Sequence, residues 1–96
     1  MQQNVFEIVT YTVKDPKLAQ EVRDKLKPVL SSYPGFVNWR QYVSTGDDRR
    51  FVDHVEWADL SSAQAAQEKF MANEIAQALM AQTEEVHATS HVVETA

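Results

Sequence analysis

Residues 51–57, Phe-Val-Asp-His-Val-Glu-Trp, carry three ionisable side chains, Asp53, His54 and Glu56, in a run that otherwise has strand character. A carboxylate or an imidazole held out of water is a general base at near-neutral pH. His54 and Glu56 are two apart and so share a strand face at about 7 Å. A divalent metal there would need further ligands, and the first strand offers only Thr10 and Thr12 on that face, so no metal site is expected. His87 and His91 also share a face, but lie roughly 13 Å apart, too far for one ion. Either can move a proton, and either can equally be an ordinary surface or interface histidine. Asn38, Arg40 and Tyr42 alternate along "FVNWRQYV" (36–43). An amide and a guanidinium on one face stabilise a developing oxyanion in a dry site. The plain alternative is a structural Arg40–Asp53 pair with Tyr42 and Trp57 as packing side chains.

Six elements position these groups. Residues 5–13, "VFEIVTYTV", read as a strand. Asp15-Pro16 starts a helix, with Asp as N-cap and Pro at the first helical position. Leu18, Val22, Leu26 and Leu30 then form a stripe along one face. Pro28 is expected to kink or loosen that helix, and "SSYPG" (31–35) ends it. Strands 36–43 and 51–57, joined by the polar turn "STGDDRR", form a hairpin. Ser61 and Gln64 make a capping box for a helix on which Ala63, Ala66 and Phe70 share a face. Asn73 breaks it before a second helical piece, 74–83, and "VHATSHVV" (86–93) is a last strand. The order β-α-β-β-α-β is the ferredoxin-like, split βαβ arrangement. It is an α+β fold with one antiparallel sheet, strands in the order 4-1-3-2, and helices on one face.

The bulk composition bounds the function. Ninety-six residues make one domain, expected over 1–96. Net charge is −5, and no basic cluster exceeds Arg49-Arg50, which argues against a nucleic-acid partner. The chain has no cysteine, so thiolate nucleophiles and cysteine-held metals are excluded. The start lacks the pattern of a secretory leader and no apolar run is long enough for a membrane span. The expectation is a cytoplasmic protein that does not engage membranes.

Alternation sorts the strand residues into two faces. Phe6, Ile8, Thr10, Val37, Trp39, Val43, Val52, His54, Glu56, Val86, Ala88, Ser90 and Val92 form one set, expected under the helices. Val5, Glu7, Val9, Tyr11, Val13, Phe36, Asn38, Arg40, Tyr42, Phe51, Asp53, Val55, Trp57, His87, Thr89, His91 and Val93 form the other. That second set mixes large aromatics with isolated charges, as expected of a face that meets a partner and encloses a partly polar pocket. Pairing Val43 with Arg50 would set Arg40 opposite Asp53, Tyr42 opposite Phe51 and Phe36 opposite Trp57. A slip of one residue would set Arg40 against His54 instead.

The chain also resembles a known family. "YPGFVNWRQY" followed by "FVDHVEWADLSSAQAAQEKF", with Pro34-Gly35 leading into the second strand and Glu56-Trp57 ending the third, is similar to the antibiotic-biosynthesis-monooxygenase-like group of dimeric α/β barrels. The resemblance covers nearly the whole chain. It implies a homodimer with two sheets face to face, each protomer keeping a cavity. Trp57 matches the strand tryptophan that lines the pocket in several oxygenases of the group. The haem-degrading members supply an axial histidine from the second helical region and an asparagine from the first strand. Here residues 61–84 contain no histidine and Val9 stands at the asparagine position, which argues against haem.

Together these readings predict a cofactor-independent monooxygenase, with no metal or cofactor, acting on a small aromatic or quinol-like ligand. Trp57, Arg40, Asn38 and Tyr42 are the expected binding residues, and His91 or Asp53 the proton acceptor. Two rival readings use the same fold. One is a non-catalytic dimeric binding or interaction protein; the other is an isomerase or decarboxylase.

Overall fold

The computed structural model describes residues 3–95, so Met1, Gln2 and Ala96, the ends of the single domain expected over 1–96, lie outside the described residues. The elements are β1 (Val5–Val13), α1 (Pro16–Ser31), β2 (Phe36–Val43), β3 (Arg50–Trp57), α2 (Leu60–Met71), α3 (Glu74–Gln82) and β4 (Thr83–Val92). One antiparallel sheet runs β2-β3-β1-β4, the ferredoxin-like order that the sequence predicts.

Local chemistry explains the helix limits. Asp15 caps α1 by accepting from the backbone N–H groups of Lys17 and Leu18, with Pro16 in the first turn. The helix continues through Pro28 to Ser31; Pro28 is exposed, so water can serve the carbonyl it leaves unbonded. α2 starts before the expected Ser61 cap. Asp59 takes that role, accepting from Ser62 N–H at 2.8 Å and from the Ser61 hydroxyl at 2.9 Å. A carboxylate suits a helix N-terminus better than a hydroxyl does. Asn73 breaks the second helical region and caps α3 through Ile75 and Ala76 N–H.

On β1 and β3 the faces are exchanged relative to the sequence reading, whereas on β2 Trp39 faces the helices as expected. The helices cover Val5, Tyr11, Val13, Phe51, Asp53, Val55 and Trp57, all buried. Phe6, Ile8, Val52, His54 and Glu56 lie on the opposite, outer face. The reason is the size of the helix residues. α2 and α3 present Ala63, Ala66 and Ala76 to the sheet, and small residues on the helices leave room for large aromatics on the strands. On α1 the buried row is Ala19, Arg23, Leu26 and Leu30. Leu18 is exposed instead of buried, so the buried stripe is turned by one position and includes an arginine.

The hairpin is slipped by one residue. Ser44 N–H donates to the Arg50 carbonyl and Arg50 N–H to the Asp47 carbonyl, which uses Arg50 in the turn and pairs Val43 with Phe51. Arg40 therefore faces His54 and Tyr42 faces Val52, while Gln41 sits opposite Asp53. A register irregularity between Phe36 and Asn38 absorbs the shift, so Phe36 still pairs with Trp57.

Candidate active site

Between the sheet and the helices lies a cavity of about 420 Å³, within the range of small-molecule sites. Its sheet wall is built by alternate residues of β1, β3 and β2: Glu7, Val9, Tyr11, Asp53, Val55, Trp57 and Trp39. Leu30 and Tyr33 close one side, and Ala66, Gln67 and Phe70 of α2 with Leu79 and Met80 of α3 form the roof. The first residues of β4, from Thr83 to Val86, complete the rim. An aromatic, mostly apolar chamber with two carboxyls in its sheet wall suits a planar ligand bearing a hydroxyl group.

The two carboxyls are held differently. Asp53 is buried and fully engaged: Arg23 reaches Oδ1 at 2.9 Å, Trp39 Nε1 donates to Oδ1 at 3.2 Å, and the Tyr11 hydroxyl donates to Oδ2 at 2.8 Å. Arg23 also donates to the Tyr11 hydroxyl and to the Tyr42 and Val52 carbonyls, and its guanidinium lies 3.9 Å from the centre of the Phe51 ring. Burial raises the Asp53 carboxyl above its ordinary range, against the opposing pull of Arg23, Tyr11 and Trp39. Burial, reinforced by the charge of Asp53, pushes the Tyr11 phenol well above its ordinary range. Tyr11 is therefore a neutral donor.

Glu7 has a sparser shell. Its Oε2 lies 3.5 Å from Nε2 of His91, the residue directly opposite on β4. Burial raises the Glu7 carboxyl above its ordinary range; His91 opposes this and Asp53 adds to it. Two buried polar atoms, Trp57 Nε1 and Gln41 Nε2, have no hydrogen-bond partner among the described residues. Among the described residues no group of three or more His, Cys, Asp or Glu side chains is arranged to hold a metal ion, and no helix is long and apolar enough to cross a membrane.

No family model and no curated protein matches the chain, but solved structures do. A candidate antibiotic biosynthesis monooxygenase of Bordetella bronchiseptica matches 99% of this chain and 100% of its own, with a TM-score of 0.86 at 13% identity. SnoaB, a cofactor-independent oxygenase of Streptomyces nogalater, matches 98% of this chain and 93% of its own, with a TM-score of 0.76 at 22% identity. A third, a candidate antibiotic biosynthesis monooxygenase of Nitrosomonas europaea, gives 0.79 at 17% identity over 100% of this chain and 92% of its own. The chain has the antibiotic-biosynthesis-monooxygenase fold.

Within that fold the expected site residues separate. Trp57 and Asp53 line the cavity. His91 stands behind Glu7. Asn38, Arg40 and Tyr42 lie on the outer sheet face opposite Glu56, His54 and Val52, away from the cavity, because the slipped hairpin reverses which β2 residues point inward. The expected Arg40–Asp53 pair is thus replaced by Arg23–Asp53. His54 and Glu56 also face outward rather than toward the helices; His54 packs against Phe6 at 5.1 Å between ring centres, and Glu56 accepts from Asn4 at 2.6 Å. His87 bonds Thr12 Oγ1 at 2.6 Å.

Three residues of the site escaped the sequence reading as site residues. Arg23 lies outside the expected stripe of Leu18, Val22, Leu26 and Leu30, although 19, 23, 26 and 30 fit one helical face equally well. Glu7 had a signal: a carboxylate flanked at two-residue spacing by Val5, Val9 and Tyr11. Trp39 was expected on the helix side and stands there, but its bond to Asp53 could not be read without the register.

Proposed function

We propose that the protein is a homodimeric, cofactor-independent monooxygenase that takes a small aromatic or quinol-like molecule into this cavity. The observation that carries this reading is the chamber itself, walled by Trp39, Trp57, Tyr33 and Phe70 with the carboxyls of Glu7 and Asp53 in its sheet wall. The fold shared with SnoaB supports it. A protein base takes a proton from the ligand, leaving an electron-rich anion that reacts with dioxygen. On an anthrone-type ligand the O–O bond and the two C–H bonds of one methylene carbon break; one oxygen atom is retained on that carbon as a carbonyl and the other leaves as water with the two hydrogens, the oxidation of methylene to carbonyl supplying the four electrons that dioxygen takes up. The protein contributes orientation, exclusion of water and stabilisation of the anion. The outer sheet face, with Phe6, Ile8, Val52 and Val92, packs against a second copy in this reading.

The test is oxygen uptake by chelator-treated protein with anthrone, hydroquinone and polyphenol substrates, beside Trp57→Phe. Uptake by the wild type that is lost in a folded Trp57→Phe variant is the expected result. Product formed without oxygen consumption would point to an isomerase or decarboxylase. Saturable binding with no turnover would favour a binding protein, a reading that the full engagement of Asp53 by Arg23, Tyr11 and Trp39 supports.

A further inference from the structure

Four carboxyls line the cavity, Glu84 and Glu85 at its rim and Glu7 and Asp53 deeper in its sheet wall, and the deeper two differ in what is left for a ligand. Asp53 already accepts from three side chains. Among the described residues Glu7 has a single polar side-chain neighbour, His91, at the long distance of 3.5 Å. His91 does not line the cavity. Its Nε2 is buried without a hydrogen-bond partner among the described residues, and a quarter of the side chain is exposed. Glu7 is a quarter exposed as well, but it lines the cavity while His91 stands outside that lining. A cavity-lining acid that faces the buried Nε2 of a partly exposed imidazole at 3.5 Å has the layout of a proton exit.

We propose that Glu7 accepts the proton of a hydroxyl group on an aromatic ligand in the cavity, and that His91 takes that proton from Glu7 and passes it to water. The assignment rests on the cavity being the ligand site, as in the function proposed above. In the first step the ligand O–H bond breaks and a Glu7 Oε–H bond forms, leaving the ligand as its oxyanion. In the second the Oε–H bond breaks and an Nε2–H bond forms, restoring the carboxylate and giving an imidazolium. That cation then loses a proton to solvent. Burial of Glu7 favours the first step, since it makes this carboxylate a stronger base than a free one. Besides His91 on β4, the charge facing Glu7 is Asp53 on β3, whose carboxylate also raises it. Tyr11 on β1, Tyr33 beyond α1, and Glu84 and Glu85 at the start of β4 stand elsewhere around the cavity, while α2 and α3 line it with no titratable side chain.

4-Nitrophenol is a suitable probe, because its anion is coloured and its neutral form is not. Binding is followed by quenching of Trp39 and Trp57 fluorescence, and ionisation of the bound probe by absorbance after a rapid jump from a pH below its midpoint to one above it. The expected result is an anion colour that develops at least about tenfold more slowly on Glu7→Gln than on the wild type, whichever ionisation state each reaches at equilibrium, because the carboxylate takes up the proton while its own charge disfavours the neighbouring anion. Should Glu7→Gln not fold, Glu7→Asp, which withdraws the carboxylate by one methylene, is expected to slow the colour change in the same direction. A rate that is the same on both proteins overturns the role of Glu7 and leaves the cavity reading standing. A probe that binds neither protein overturns the cavity reading and this assignment with it. NMR titration of the Glu7 carboxyl carbon tests the second residue. Its midpoint moves further up in His91→Gln, and an unmoved midpoint removes His91 from the relay.

Discussion

Replacing Arg23 by methionine isolates the buried charge pair on which the helix-facing side of the sheet is organised. The substitution keeps most of the stem and removes the guanidinium. Asp53 then retains only the Tyr11 hydroxyl and the Trp39 indole as donors, and the Tyr42 and Val52 carbonyls lose a donor. Both side chains of the pair are almost fully buried, and breaking such a pair from one side costs about 3–5 kcal/mol. For a domain of this size each kcal/mol moves Tm by about 4–8 °C, so a fall of about 12–40 °C is expected. The sign of the pH dependence follows from Asp53. Its folded-state carboxyl is already raised by burial, and Arg23 is the largest influence opposing that rise. Without Arg23 the folded value climbs further while the unfolded one stays ordinary. The folded state then holds the proton more tightly, and its stability declines as pH rises through the raised value. Urea unfolding at about pH 5 and about pH 8, at one protein concentration, should show the larger penalty at the higher pH. Adding Asp53→Leu removes the stranded charge, so the double variant should be more stable than the sum of the single penalties implies, by at least ~1 kcal/mol. A penalty equal at both pH values, or strict additivity, would refute the reasoning.

Gly35 has φ of 82° and a Cβ there would overlap the Ser62 side chain, so Gly35→Ala should cost more than ~1 kcal/mol in chemical denaturation. Gly46→Ala meets nothing within 4 Å and should stay within about 0.5 kcal/mol of wild type. Asp59→Ala should lower Tm, and the gap should close as pH falls below the ordinary carboxylate range. The reason is that Asp59 is held below its usual value by the Ser62 and Ser61 donors, so its contribution is present above that range and lost as pH falls through the depressed value. Ile8→Asp on the outer sheet face should halve the mass seen by sedimentation while far-ultraviolet circular dichroism is retained; an unchanged mass would remove that face as the dimer contact.

The order of elements was legible because strand and helix periods differ sharply here. β1 and β2 have the limits that their alternating β-branched and aromatic residues predict, and Asn73 marks the break between α2 and α3 as read. Which sheet face the helices cover was not legible. Both faces of β1 carry valine, isoleucine or aromatics, so hydrophobicity alone does not choose between them. The choice is made by volume, as Ala63, Ala66 and Ala76 leave space only the larger face can fill. Register failed for a related reason. One residue of turn decides whether Arg40 meets Asp53 or His54, and the turn over residues 44–50 carries no asparagine–glycine signal to fix it. Asp53 and Trp57 could be placed on a pocket because a charge among aromatics needs a partner. That the partner is Arg23, distant in sequence and on a helix, is a tertiary fact.

Glu7 and Asp53 lie on neighbouring strands and the same face, yet the fold makes opposite uses of them. Asp53 neutralises Arg23 and orients Tyr11 and Trp39, which fixes the wall of the chamber and leaves the carboxylate little capacity to accept a further proton without disturbing that wall. Glu7 sits one residue pair further along β1, where β4, an edge strand, is the neighbour and supplies only an imidazole. Edge position matters, because it allows His91 to keep its Nε2 buried against Glu7 while part of the ring reaches water. A base at the sheet centre would have no such outlet, and a base wholly at the edge would not be dry enough to be raised by burial. On the proposed assignment the division of labour follows the strand order and the partners it supplies: the central pair β1 and β3 holds the structural acid, and the pair β1 and β4 the acid that exchanges a proton.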